Sequence, residues 1–184
     1  GGVHYAACSI SKKYIVLICK VSTFTDKRGV QGFTAYNPDR NEIAVTFRGT
    51  ATLKVLIADL VIDLVDYPLC RGCMVHRGFL TLYNSIAGTV HQHVHELMVK
   101  HPSASIRATG HSFGAAMAIL ATLDLQYVFG TVLPPYTFGQ PRVGNLAFAK
   151  YLNKKTPAYR VVHYADLIPT LPPRVFNIGY MHGG

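Results

Sequence analysis

The sequence predicts an α/β fold, a mostly parallel central sheet with helices on both faces, and two observations carry that prediction. Segments rich in β-branched and apolar residues alternate with segments of helical spacing through the second half of the chain. A serine flanked by glycines stands at one of the strand-to-helix junctions, in Gly110-His111-Ser112-Phe113-Gly114. At 184 residues and 49 % hydrophobic composition, the chain suffices for one sizeable core and is too short for two ordinary domains. Residues 1–184 are therefore read as a single domain.

The elements follow in order. Residues 13–19 (Lys-Tyr-Ile-Val-Leu-Ile-Cys) are β-branched and apolar and read as a strand. Gly32–Tyr36 and Glu42–Phe47 read as a hairpin, with turn chemistry supplied by Asn37-Pro38-Asp39-Arg40-Asn41. Over about 52–64, Leu53, Leu56, Ile57, Leu60 and Leu64 recur at helical spacing. A long amphipathic helix is expected from Gly78 to Lys100, with Pro102 just past its end. Ser105–Thr109 then reads as a strand and Ser112–Phe129 as a helix rich in Ala and Leu. Pro135–Phe138, Asn145–Leu152 and Tyr159–Tyr164 continue as strand, helix, strand. Strands that alternate with helices in this way are joined by crossovers, which makes their pairing parallel.

Composition narrows the function classes. The formal charge of +9 fits nucleic acid, an anionic membrane surface or plain solubility. The basic residues are scattered, with only pairs such as Lys12–Lys13, Lys27–Arg28 and Lys154–Lys155, so nucleic acid is the poorest of the three. No apolar run reaches the roughly 18–20 residues that span a bilayer, and no signal peptide opens the chain. Four cysteines, Cys8, Cys19, Cys70 and Cys73, are compatible with two disulfides in a secreted protein. The expected pairs are Cys70 with Cys73 and Cys8 with Cys19. Cys70-Arg71-Gly72-Cys73 also resembles half of a zinc site, but the other half is missing and no metal or organic cofactor is expected.

The pentapeptide at 110–114 matches G-x-S-x-G, with a strand ending before it and a helix starting at the serine. The turn is so tight that bulky neighbours two residues either side of Ser112 would clash, and Gly110 and Gly114 relieve that crowding. The helix N-terminus lends partial positive charge to an oxyanion forming beside the serine. The competing reading makes Ser112 an ordinary helix N-cap, a role that needs neither glycine.

Six blocks in order give the chain a wider likeness. They are Val45-Thr46-Phe47-Arg48-Gly49-Thr50, Ile57-Ala58-Asp59-Leu60, Val75-His76-Arg77-Gly78-Phe79, Thr109 to Ala116, Thr137 to Asn145, and Arg160 to Pro169. Together they resemble the class 3 lipases, the group typified by filamentous-fungal triacylglycerol lipases, from about Tyr5 to His182. The resemblance implies an α/β-hydrolase fold and cleavage of acylglycerol esters through an acyl-enzyme on Ser112. It implies that Asp166 orients the catalytic histidine, and that Thr50 and the Phe113 backbone N–H form the oxyanion hole. It also makes 51–60 a helical lid whose Leu53, Leu56 and Ile57 meet lipid. The same helix could instead pack on the core, as amphipathic helices commonly do. The absence of Trp, with Leu56 where family lids often carry one, weakens the case for interfacial activation.

The remaining histidines have plainer expectations. His111 is expected to pack beneath the turn and His76 to hold structure by hydrogen bonding. His91, His93 and His95 are expected on a solvated helix face, although positions 91 and 95 share a side. The family's triad runs Ser, Asp, His, and this chain stops 18 residues after Asp166, with His182 the only later histidine. The expectation is a fold lacking its C-terminal part, with the base beyond residue 184; recruitment of His182 is the alternative. The partner is a lipid substrate at an interface, with secretion the expected setting. A phospholipase A1 or feruloyl esterase is the rival within the enzyme class, and a catalytically dead lipid- or protein-binding domain the rival outside it.

Overall fold

The computed structural model of the chain describes residues 19–49, 63–172 and 180–182. Of the strand expected at 13–19, only Cys19 falls among them, and there it opens β1 (Cys19–Thr25). Lys20–Thr25 are thus strand residues that the sequence reading left out. β2 (Gln31–Asn37) and β3 (Glu42–Phe47) form the expected hairpin. In its turn, Asn37 Oδ1 accepts the Asp39 and Arg40 amides at 3.0 and 3.2 Å. Asn41 takes a left-handed φ of 46°, which Asn adopts more readily than most residues.

The helix expected over 52–64 lies outside the described residues except at its end, where Leu64 begins a strand instead. β4 (Leu64–Asp66) and β5 (Met74–His76) lead into α1 (Arg77–Lys100). His76 caps α1, its Nδ1 accepting the Phe79 amide at 3.3 Å, which is the structural role expected of it. β6 (Ser105–His111), α2 (Phe113–Phe129) and β7 (Tyr136–Phe138) follow. β8 (Gly144–Asn145), α3 (Leu146–Lys155), β9 (Tyr159–Val161), a single 3-10 turn (Ile168–Thr170) and β10 (Tyr180–Met181) complete the order.

The strands form two sheets. The larger runs β1-β2-β3-β6-β7-β9, antiparallel across its first three strands and parallel from β3 to β9. The smaller, β10-β8-β5-β4, is antiparallel and lies beside α3. Strand alternation sends Ile43, Val45 and Phe47 of β3 and Ile106 and Ala108 of β6 into the core. α1 and α2 lie together over that face: Phe47 meets Tyr83 at 6.5 Å between ring centres, and Phe79 meets Phe113 at 6.0 Å. α1 presents Phe79, Tyr83, Ile86, Val90, Val94 and Leu97 inward, a stripe of 3.6-residue period. α2 is buried on nearly every side, so its sequence is apolar all round, with slim alanines at 115, 116, 118 and 121.

The two helices are also joined by a polar link. Asp124 Oδ2 on α2 accepts from Tyr83 Oη and from His91 Nε2 on α1, both at 2.5 Å. Burial, with the Asp124 carboxylate beside it, pushes the Tyr83 phenol well above its ordinary pKa. His91 therefore does not sit on a solvated face as expected but half-buried against its partner, while His95 is exposed. Among the described residues, no group of three or more His, Cys, Asp or Glu is arranged to hold a metal. Cys70 and Cys73 are joined by a disulfide that closes the β4–β5 turn. Cys8 and the side chain of Cys19 lie outside the described residues.

Candidate active site

β6 ends at His111 in the middle of the parallel half of the sheet, and α2 starts two residues later. The single residue between them is Ser112, at φ 53° and ψ −123°. L-residues rarely occupy that region, and strain of this kind is tolerated where surrounding structure enforces it. The enforcement is visible in the two glycines. A β-carbon on Gly110 would overlap the Gly114 carbonyl, and one on Gly114 would overlap the Phe47 carbonyl of β3. β6, α2 and β3 are therefore in backbone contact around the serine, closer than any side chain allows.

Ser112 does not act as a conventional N-cap, because its side chain makes no cap hydrogen bond. Its Oγ is buried, with the residue 1 % exposed, and has no hydrogen-bond partner among the described residues. The Ser112 amide is tied to the Phe138 carbonyl of β7 at 2.9 Å. The Phe113 N–H opens a 17-residue helix and has no acceptor among the described residues. It points from the positive end of the helix dipole with a free donor, the property an oxyanion requires.

Asp166 follows β9, in the loop where the sequence placed it. Its Oδ1 accepts the Ile168 amide at 2.9 Å. Its Oδ2 projects into the space left by Gly139, whose φ is 54° and where a β-carbon would overlap it. One strand, β7, separates β6 from β9, so the C-terminal ends of β6 and β9 lie about 10 Å apart, and Asp166 stands in the loop that leaves β9. An imidazole with a hydrogen bond at each nitrogen spans roughly 8 Å.

His111 is exposed and not packed beneath the turn. A β-carbon on Gly49 would stand 3.2 Å from its Nδ1, and one on Gly139 would stand 3.5 Å from its Nε2. The ring thus lies across the rim of the site, because alternation along β6 puts residue 111 opposite to buried Gly110. His182 hydrogen-bonds through Nε2 to the Pro169 carbonyl at 2.6 Å, so that nitrogen holds the loop after Asp166. Thr50, Leu53, Leu56 and Ile57 lie outside the described residues. Sequence reasoning missed Arg142, whose guanidinium and amide bond to carbonyls of the Asp166 loop. Nothing local to Pro141-Arg142-Val143 signals partners some thirty residues away.

A serine on a strained strand-to-helix turn, with a helix N-terminus beside it and parallel strands on either side, is the backbone arrangement of an α/β-hydrolase fold. Residues 44–176 match the family described as Lipase (class 3), and the chain belongs to that family. It is 35 % identical to the Rhizopus niveus lipase over 170 residues, 89 % of this chain and 43 % of that one. The Rhizomucor miehei lipase is 39 % identical over 147 residues, 77 % and 40 % of the two chains. A secreted mono- and diacylglycerol lipase of Fusarium solani is 36 % identical over 157 residues, 85 % and 46 %. The solved structure of lipase II from Rhizopus niveus superposes with a TM-score of 0.83 at 34 % identity, covering 89 % of this chain and 63 % of that one. The chain spans less than half the length of these three curated relatives. Among the described residues, no helix is long and apolar enough to cross a membrane.

Proposed function

We propose that this chain carries the nucleophile and acid of a secreted serine hydrolase that cleaves acylglycerol esters. The observation that carries the reading is Ser112 itself: a strained, buried serine with a free Oγ next to the donor end of α2. In this reading Ser112 Oγ attacks the ester carbonyl while a histidine takes its proton. The oxyanion accepts from the Phe113 N–H and from the N–H and hydroxyl of Thr50. Each such donor contributes about 3 kcal/mol of transition-state stabilisation. The imidazolium then gives its proton to the departing alcohol, leaving an acyl-enzyme that water hydrolyses to fatty acid and free Ser112.

Asp166 Oδ2, without a hydrogen bond among the described residues, is the acceptor that orients the imidazole and stabilises its charge. The base is assigned to a histidine outside residues 1–184, since His182 is engaged with the Asp166 loop. Leu53, Leu56 and Ile57 are assigned to the lid and meet acyl chains. The charge of +9 favours an anionic lipid interface. Secretion is supported by the Fusarium relative and by the Cys70–Cys73 disulfide.

The test is a fluorophosphonate, which modifies activated serines, read by intact mass and peptide mapping. One adduct at Ser112, absent in Ser112→Ala, supports the reading. An adduct on the 184-residue chain that His182→Ala removes would reassign the base to His182. No adduct on any natural form, with lipid vesicles still bound, would make this a binding domain. Turnover across acyl-chain lengths, phospholipids and feruloyl esters separates the rivals within the class.

A further inference from the structure

We infer that Arg142 is a positioning residue for the Asp166 carboxylate; the kinetic part of this inference rests on the acyl-enzyme reading above, and the structural part does not. Asp166 is fixed within its own loop by its amide on the His163 carbonyl (3.0 Å) and by Oδ1 on the Ile168 amide (2.9 Å). Those bonds hold the carboxylate to the loop, yet they do not hold the loop to the sheet. The 3-10 turn at Ile168–Thr170 is too short to satisfy its own last carbonyls, which need outside donors.

Arg142 supplies most of them. Its backbone N–H donates to the Leu171 carbonyl at 2.7 Å, and its Nη1 donates to the Thr170 carbonyl and, at 2.6 Å, to that of Pro172. His182 takes the Pro169 carbonyl. Four consecutive carbonyls, 169 to 172, thus receive donors from beyond the loop, three of them from Arg142. A planar guanidinium, always charged and with several N–H groups in fixed directions, suits adjacent carbonyls in a way an ammonium does not.

The other side of the clamp is anchored to the nucleophile's neighbourhood. Two residues before Arg142, buried Gln140 accepts from Thr137 Oγ1 of β7 at 2.8 Å. The next residue of β7, Phe138, accepts the Ser112 amide. Arg142 therefore couples the Asp166 loop to the strand that also holds Ser112. Without it, the loop slides relative to the sheet, and a displacement near 1 Å at a catalytic group costs on the order of 100-fold in rate.

The experiment compares Arg142→Met and Arg142→Lys with wild type in the full-length enzyme. Amide exchange at Ile168, Thr170 and Leu171 is expected to rise at least tenfold in Arg142→Met, with the β3 amides of Ile43 and Val45 unchanged. In turnover, kcat falls by a factor of 10 to 100 while KM stays within about twofold. The acid limb of kcat/KM moves to lower pH, because a displaced carboxylate no longer raises the pKa of the base. Arg142→Lys recovers part of both. Unchanged loop exchange in Arg142→Met, or a loss of kcat with the acid limb unmoved, overturns the inference. A wild type without turnover overturns the acyl-enzyme reading instead, and loop exchange alone then decides the clamp.

Discussion

Ser112 carries two burdens, a buried unpaired hydroxyl and a strained backbone, and removing them stabilises the protein. Its Oγ is buried without a partner, and burial of an unsatisfied hydroxyl costs about 1–3 kcal/mol. Its φ of 53° is a strained setting for any residue with a β-carbon, at about 1–3 kcal/mol. Ser112→Ala removes the first burden only, for an expected gain of about 1.5 kcal/mol. Ser112→Gly removes both but gives the unfolded chain about 1 kcal/mol of extra conformational entropy, so its net gain is about 2.5 kcal/mol. For a chain of 184 residues the unfolding entropy is roughly 0.4 kcal/mol per degree. The expected Tm rises are therefore about 4 °C for alanine and about 6 °C for glycine. Calorimetry and urea melts of the three proteins read this directly, beside complete loss of fluorophosphonate labelling in both variants. Variants no more stable than wild type would show that the serine is neither strained nor unsatisfied, and the case for a nucleophile would lose its main support.

Gly114→Ala is expected to destabilise by about 3 kcal/mol, since its β-carbon would overlap a β3 carbonyl and separate α2 from the sheet. The same melts measure it. Tyr83→Phe keeps the ring beside Phe47 but leaves Asp124 with His91 alone, at a cost of about 1.5 kcal/mol or about 4 °C. For Asp26, burial raises its pKa, but the Ser85 hydroxyl and the Val30 and Arg28 amides outweigh this and hold it below the ordinary carboxylate value. A lowered folded pKa gives stability that is present above the unfolded pKa near 4 and lost as pH falls through the folded one. Ser85→Ala is expected to shrink that acid-side loss in melts between about pH 2 and pH 5.

Much of the site was legible because its causes are local. The two glycines around Ser112 follow from crowding within five consecutive residues, and the backbone meets them where that argument places them. α1 and α2 start within one residue of expectation, since each carries a long, unambiguous pattern. The second sheet was not legible: β4, β5, β8 and β10 are two or three residues long, too short to show a period. His91 was misjudged for a related reason, as its partner Asp124 is 33 residues away on another helix. Arg142 hides similarly, because a backbone carbonyl leaves no mark in a sequence.

The near-total burial of Ser112 has a kinetic meaning as well as an energetic one. Under the acyl-enzyme reading proposed above, a nucleophile this buried at rest would meet an ester only during openings, and turnover would be gated. Small reagents and bulky lipids then share one ceiling on rate, the frequency of opening. If about one molecule in 100 is open at a given moment, the apparent affinity for every substrate falls about 100-fold below that of the open form. Any surface that holds the gate open returns that factor without altering a single catalytic atom.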